Sequence, residues 1–198
     1  MDWIPFFEEK QARYQRSLVM QGNAAYAAGL ALLMASDPRS ADWLRRAASR
    51  WRESFQGADA WGRPIGVLKA LLLAGDDVDE PAGWTIELGC ATAESPIGRY
   101  AASLALLALE RREEAIHVTQ SLLDRDDFPR DVAAGLAAIA VEDAVAYADA
   151  VASVVHSFET RDEYLEDARI ADTALVLDLL ARRNGIDVPL PASELLPS

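Results

Sequence analysis

The sequence predicts an all-α protein, made of antiparallel helix pairs stacked as an α-solenoid. Two observations carry that expectation. Tyr100–Asp124, shifted by 32 residues, lies without gaps on Val132–His156. Ala101, Ala102, Leu104, Ala105, Ala108, Glu110 and Ser121 fall on Ala133, Ala134, Leu136, Ala137, Ala140, Glu142 and Ser153, and the mid-unit breaks coincide. A period near thirty residues with two helices per unit marks repeats that cannot bury their apolar faces alone. The second observation is that apolar residues recur at helical spacing along most of the chain, punctuated by proline and glycine.

Composition sets the outer bounds. With 198 residues, the chain is expected to form one helical-repeat domain, with a seam near 75–83 and an extended C-terminal tail over 186–198. Apolar residues make up 51% and charged residues 26%, a globular balance. The apolar runs Ala24–Ala35 and Ala101–Leu109 read as too short to cross a bilayer, and Met1–Pro5 lacks the pattern of a signal peptide. With a single cysteine, Cys90, this leads to the expectation of a cytoplasmic protein. Charge is uneven. Residues 1–69 hold ten Lys/Arg and seven Asp/Glu, so that residues 70–198 carry a balance of −16 within the total of −13. Such an acidic field repels nucleic acid and anionic lipid and speeds association with basic proteins.

In order, Ile4, Phe7, Gln11, Tyr14 and Leu18 define a first helical stripe. Pro5 fits its first turn, and Gly22-Asn23 is expected to end it and open a buried helix over Ala24–Ala35. Asp37-Pro38 breaks the pattern, and Ser40 reads as the cap of a helix with Trp43, Ala47, Trp51 and Phe55 on its buried stripe. Arg45, Arg46, Arg50 and Arg52 occupy the other face, where pairing with the acidic half is the expectation. Gln56–Arg63 reads as a turn, Pro64–Leu73 as a helix stopped by Gly75, Asp76–Gly83 as an acidic loop, and Trp84–Ala93 as a helix. Ser95-Pro96 starts the first repeat unit, Glu110–Glu113 divides it, and Phe128-Pro129 starts the second, which turns at Val141–Asp143. Ala144, Ala148, Val151 and Val155 are expected to line the inner face of the following helix. Thr160–Glu163 spells a capping box, and Ile170–Asn184 a last helix ended by Gly185.

Chemistry-bearing patterns are thin. Glu114-Ala115-Ile116-His117 has the spacing of a di-iron half-site, but the only other histidine, His156, has Ser153 where a glutamate is needed. Neither a zinc ligand set, a nucleophile elbow nor a glycine-rich phosphate loop is spelled out. The expectation is therefore no enzyme, no catalytic residues, no cofactor and no metal.

The units around Ser95–Phe158 resemble tetratricopeptide repeats. Ser103 and Gly135 stand at the helix-crossing position and Ala115 at the small position of the second helix. Arg99 in place of the early aromatic, Tyr147 in place of the second-helix alanine, and the lack of a closing proline at Asp127 depart from the pattern. The resemblance implies a right-handed solenoid. The Ala/Leu-rich helix pairs, Glu110–Ala115 and the ending Arg182-Arg183-Asn184-Gly185-Ile186 also resemble the immunity protein forty-nine family of bacterial polymorphic toxin systems. That likeness implies a non-catalytic inhibitor that neutralises a cognate toxin by binding it. A general repeat adaptor, or in third place a helical-bundle enzyme, are the other readings. Partner binding is assigned to Asp162, Tyr164, Glu166, Asp167, Glu159, Asp126 and Asp127. The partner is expected to be a basic protein, with nucleic acid and membrane excluded.

Overall fold

The computed structural model describes residues 4–57 and 60–197, with side chains in the first helix from residue 9 onward. Among the described residues nine α-helices follow one another: α1 (Ile4–Met34), α2 (Ser40–Glu53), α3 (Gly62–Ala74), α4 (Asp79–Glu87), α5 (Pro96–Ala108), α6 (Arg112–Leu123), α7 (Arg130–Ala140), α8 (Ala144–Glu159) and α9 (Asp172–Arg183). The described residues contain no strand, so the all-α class holds. The Ile4 and Phe7 side chains of the first stripe, and Ala58-Asp59 of the turn before α3, lie outside the described residues.

Gly22-Asn23 does not end a helix. α1 runs unbroken through both, because they form the notch that receives Trp51 of α2. A Cβ on Gly22 would stand 2.6 Å from Trp51 Nε1, and that nitrogen donates to Asn23 Oδ1 at 3.1 Å. The glycine marks a close helix approach rather than a stop. With α1 continuous, Glu9–Met34 is long and apolar enough, by length and composition alone, to cross a membrane. The expectation that all apolar runs fall short rested on the missing break. Leu18, Ala25, Tyr26 and Leu30 of this helix are buried.

α2 also departs from expectation at two points. Ser40 lies inside the helix instead of capping it, and the Asp37 carboxylate accepts the Arg39 amide at 2.9 Å. Trp43 is exposed, with the Arg46 guanidinium over its ring, and the buried face is Leu44, Ala47, Ala48 and Trp51. Two of the four arginines turn to the acidic half, Arg45 to Asp76 at 2.8 Å and Arg52 to Glu80 at 2.5 Å, whereas Arg50 pairs with Glu53 of its own helix at 3.0 Å.

α3 ends as its sequence requires, with Gly75 left-handed at φ 73°. The acidic loop is shorter than expected, since Asp79 and Glu80 already form the first turn of α4, where carboxylates favour the helix dipole. Val78 and Ala82 are fully buried in the main core. After Glu87 the chain turns through left-handed Gly89 into a single 3₁₀ turn, so the helix expected over Trp84–Ala93 stops early. Cys90 sits there fully buried, and burial pushes its thiol up to about 11. Little thiolate then exists at pH 8, so a disulfide-exchange reagent is expected to label Cys90 only after unfolding. Complete labelling of native protein within minutes would contradict this burial.

The internal repeat is geometric as well as textual. α5 and α7 end at Ala108 and Ala140, and α6 and α8 begin at Arg112 and Ala144, all in the same 32-residue register. Glu110 and Glu142 take matching left-handed conformations, φ 56° and 57°. The same closing hydrogen bonds follow: the Arg111 amide to Leu106 O at 2.8 Å, and the Asp143 amide to Ala138 O at 2.9 Å. Ser95 caps α5 through the Ile97 amide, and Asp143 caps α8 through the Val145 and Ala146 amides. The inner face of α8 is Tyr147, Ala150, Val151, Val154, Val155 and Phe158, whereas Ala144 is exposed and Ala148 half-buried. The expected stripe was displaced because bulky Tyr147 and Phe158, not the alanines, set the face that packs.

Thr160 is not the start of a helix. Its hydroxyl donates to His156 O at 3.0 Å and closes α8, leaving Glu163 exposed with no cap to make. α9 then packs against α3, α5, α7 and α8, joining the N-terminal helices to the repeat pair. The Asn184 amide at its end donates to Leu107 O and Leu180 O, linking the C-termini of α5 and α9. The tail returns along the body of the chain. Ile186, Leu195 and Leu196 are buried, and Leu195 O accepts the Ala171 amide.

Candidate binding groove

Asp172, in the first turn of α9, is reached by side chains of both α1 and α3 and is the centre of a charged cluster. Lys69 Nζ of α3 lies 2.7 Å from Asp172 Oδ2 and donates to Thr173 Oγ1 at 3.1 Å. The Tyr26 hydroxyl of α1 donates to Asp172 Oδ2 at 2.8 Å. The Lys69 and Asp172 side chains are only 13% and 15% exposed. Burial alone would push Asp172 up, but the Lys69 charge and the hydrogen bonds from Lys69 and Tyr26 hold it below the usual carboxylate range. Burial likewise opposes the Lys69 charge, and Asp172 more than offsets it, leaving the ammonium above its ordinary value. Tyr26 is raised well above a free phenol by burial and by the adjacent carboxylate. All three groups therefore keep one protonation state around neutrality, which suits holding charge and not moving protons.

Three adjoining cavities open around this cluster. The first, about 290 Å³, lies among Tyr26, Trp51, Gly66, Arg63, Lys69 and Asp172. The second, about 270 Å³, shares Tyr26, Lys69, Leu165 and Asp172 with it and adds Arg161 and Tyr164. The third, about 260 Å³, shares Phe158, Arg161 and Thr173 with the second and reaches Phe128 and Pro129. Together they make one groove across the α1–α3 end and the repeat pair, walled on one side by the loop after α8.

The residues assigned from sequence divide around this groove. Asp162, Glu166 and Asp167 are exposed on the loop that walls the second cavity. Glu166 and Asp167 both adopt left-handed backbone, φ 49° and 58°. Tyr164 is half-buried and less free than expected, because its hydroxyl donates to Phe158 O and Arg169 lies over its ring. Glu159 accepts from Ser193 of the tail at 2.7 Å. Asp127 is clasped by Arg125 through two hydrogen bonds of 2.6 Å, which hold its carboxyl below the usual range. Asp126 is exposed beside it, in the turn that leads to Phe128 of the third cavity. Away from the groove, His117 is exposed, His156 has a 3.8 Å contact with Glu159, and Glu114 is engaged by Arg111 at 2.7 Å.

The cluster itself was not found from sequence. One signal was available: only two lysines occur, and Lys69 is the one charged residue in the apolar stretch Ile65–Ala74. A lone charge in a buried helix requires a partner. No protein-family model, curated protein or solved structure matches this chain.

Proposed function

We propose that the chain is a non-catalytic binding protein, a right-handed tetratricopeptide-like solenoid of antiparallel helix pairs. In the most specific form of the reading it is a cytoplasmic bacterial inhibitor of the immunity type, neutralising a basic cognate toxin by direct contact. One observation carries the reading. The carboxylates of Asp162, Glu163, Glu166 and Asp167 have no ion-pair partner among the described residues, and their loop forms the rim of the groove. By contrast, Arg45 and Arg52 of the N-terminal half are already consumed by Asp76 and Glu80. An unneutralised acidic rim around a partly apolar groove has the anatomy of an interface with a basic partner: steering at the edge and affinity at the centre.

The groove also favours a second reading, a repeat adaptor that docks segments of several partners. Affinity capture followed by association kinetics separates the two. An inhibitor retains one dominant basic protein, and an adaptor retains several weakly. For the retained protein, Asp162→Lys, Glu166→Lys and Asp167→Lys together are expected to slow association at least tenfold and flatten its salt dependence. Helical content should be unchanged, since the three side chains are exposed. Arg16→Glu with Arg46→Glu, both on the N-terminal half, should leave the on-rate within about twofold. The reverse pattern would move the interface to the basic half and end this reading.

A further inference from the structure

We infer that the first cavity is a binding site for a small amphipathic aromatic anion, a carboxylate or sulfonate carrying a ring system. It lies at the α1–α3 end of the groove, touching the rim loop only through Leu165, and its ligand is not the rim's partner. One wall is an aromatic pair, Tyr26 and Trp51, packed on each other at a tilt of 55° with ring centroids 5.2 Å apart. The volume, about 290 Å³, lies near the lower end of the range that small organic ligands fill. α3 borders the space with Gly62, Ile65, Gly66 and Lys69; a Cβ at Gly62 would meet nothing within 4 Å, whereas the notch at Gly66 is filled by Trp51.

The polar groups that line this space are mainly cationic. Arg63, in the first turn of α3, has an Nε shut off from solvent and without a hydrogen-bond partner among the described residues. A buried guanidinium N–H left unbonded costs free energy that an anionic ligand oxygen would recover. Lys69 has three donors, of which two are taken by Asp172 and Thr173. Asp172 is neutralised by Lys69 across the same wall, which leaves Arg63 as the uncompensated charge of the lining. The Trp51 indole N–H is already spent on Asn23, so the indole lines the wall as apolar surface and not as a donor. A ring lying against the Tyr26–Trp51 pair with an acidic group toward Arg63 satisfies each of these features, whereas a cation or a neutral apolar molecule leaves the Arg63 Nε–H without a partner among the described residues.

The probes are 8-anilino-1-naphthalenesulfonate and its uncharged counterpart N-phenyl-1-naphthylamine, titrated against the folded full chain. The sulfonate is expected to bind one per chain and to quench tryptophan emission through Trp51. Arg63→Gln should weaken the sulfonate about tenfold, leave the neutral dye within twofold, and be largely repaired by Arg63→Lys. Val19→Trp, which fills the cavity from α1, should abolish both. Equal loss of the two dyes in Arg63→Gln, or sulfonate binding that survives Val19→Trp, would overturn the assignment. If Arg63→Gln fails to keep its helical signal, Val19→Trp decides alone. Because none of these substitutions touches Asp162, Glu166 or Asp167, loss of dye binding and loss of partner binding are read independently.

Discussion

Asp172→Asn is expected to lower stability by about 3–5 kcal/mol, a fall in Tm of roughly 10 °C, because it leaves Lys69 buried without its counter-charge. The size follows from geometry: the carboxylate receives Lys69 and Tyr26 together, and both ionic side chains are mostly out of water. Lys69→Met should cost a similar amount for the mirror reason. Lys69→Met with Asp172→Leu removes both charges and should recover most of the loss, since replacing a whole buried pair by apolar groups is often near neutral. Folding raises the Lys69 pKa and lowers that of Asp172, which fixes the pH window. A depressed carboxylate contributes stability above its unfolded value, and loses it as pH falls through the lower folded value. A raised ammonium contributes below its unfolded value, and loses it as pH rises through the higher folded value. Stability from the pair should thus be flat across neutrality, falling only in strong acid and strong alkali. Urea melts from pH 3 to 11 test this. An Asp172→Asn variant within 1 kcal/mol of wild type at pH 7 would show that the pair is not buried as described.

Local periodicity made the repeat pair legible, because each unit's signals are close in sequence: a capping Ser95, a left-handed Glu110, the same spacing again to Glu142. The α1–α2–α3 end was harder to read for a physical reason. Gly22 reads as a stop when only its neighbours are known, and as a notch once a tryptophan 29 positions on is seen to fill it. Thr160 misled in the same way. A hydroxyl followed by a glutamate fits either end of a helix, and only the direction of its hydrogen bond, back to His156 O, decides. The groove depends on contacts of still longer range. Tyr26 and Asp172 are 146 residues apart and Lys69 and Thr173 are 104, so no window of sequence contains the cluster. The acidic run Glu159–Asp167 was readable from sequence, but sequence cannot tell that Asp127 is clasped by Arg125 while Asp162 stands free of any ion pair among the described residues.

Trp51→Ala is the second large effect, expected at about 3–5 kcal/mol, the usual cost of truncating a buried aromatic. The indole is held from two sides by glycines on different helices. A Cβ on Gly22 would meet Nε1 at 2.6 Å, and a Cβ on Gly66 would meet Cε3 at 2.6 Å. Both contacts are with a rigid bicycle, so an added methyl moves the whole ring and its bond to Asn23. That clash competes with helix propensity, which favours alanine over glycine by about 0.5–1 kcal/mol within a helix. In wild type the clash should win, making Gly22→Ala and Gly66→Ala destabilising. Gly62→Ala, with nothing within 4 Å of its Cβ, should be neutral or slightly stabilising. In the Trp51→Ala background the sign should reverse: with the ring gone, Gly22→Ala and Gly66→Ala gain propensity at no steric cost. The deciding quantity is that non-additivity, about 1–3 kcal/mol in a double-mutant cycle followed by helical circular dichroism. If Gly22→Ala stabilises the wild-type chain, the ring does not occupy the notch, and the first cavity loses the wall on which its ligand depends.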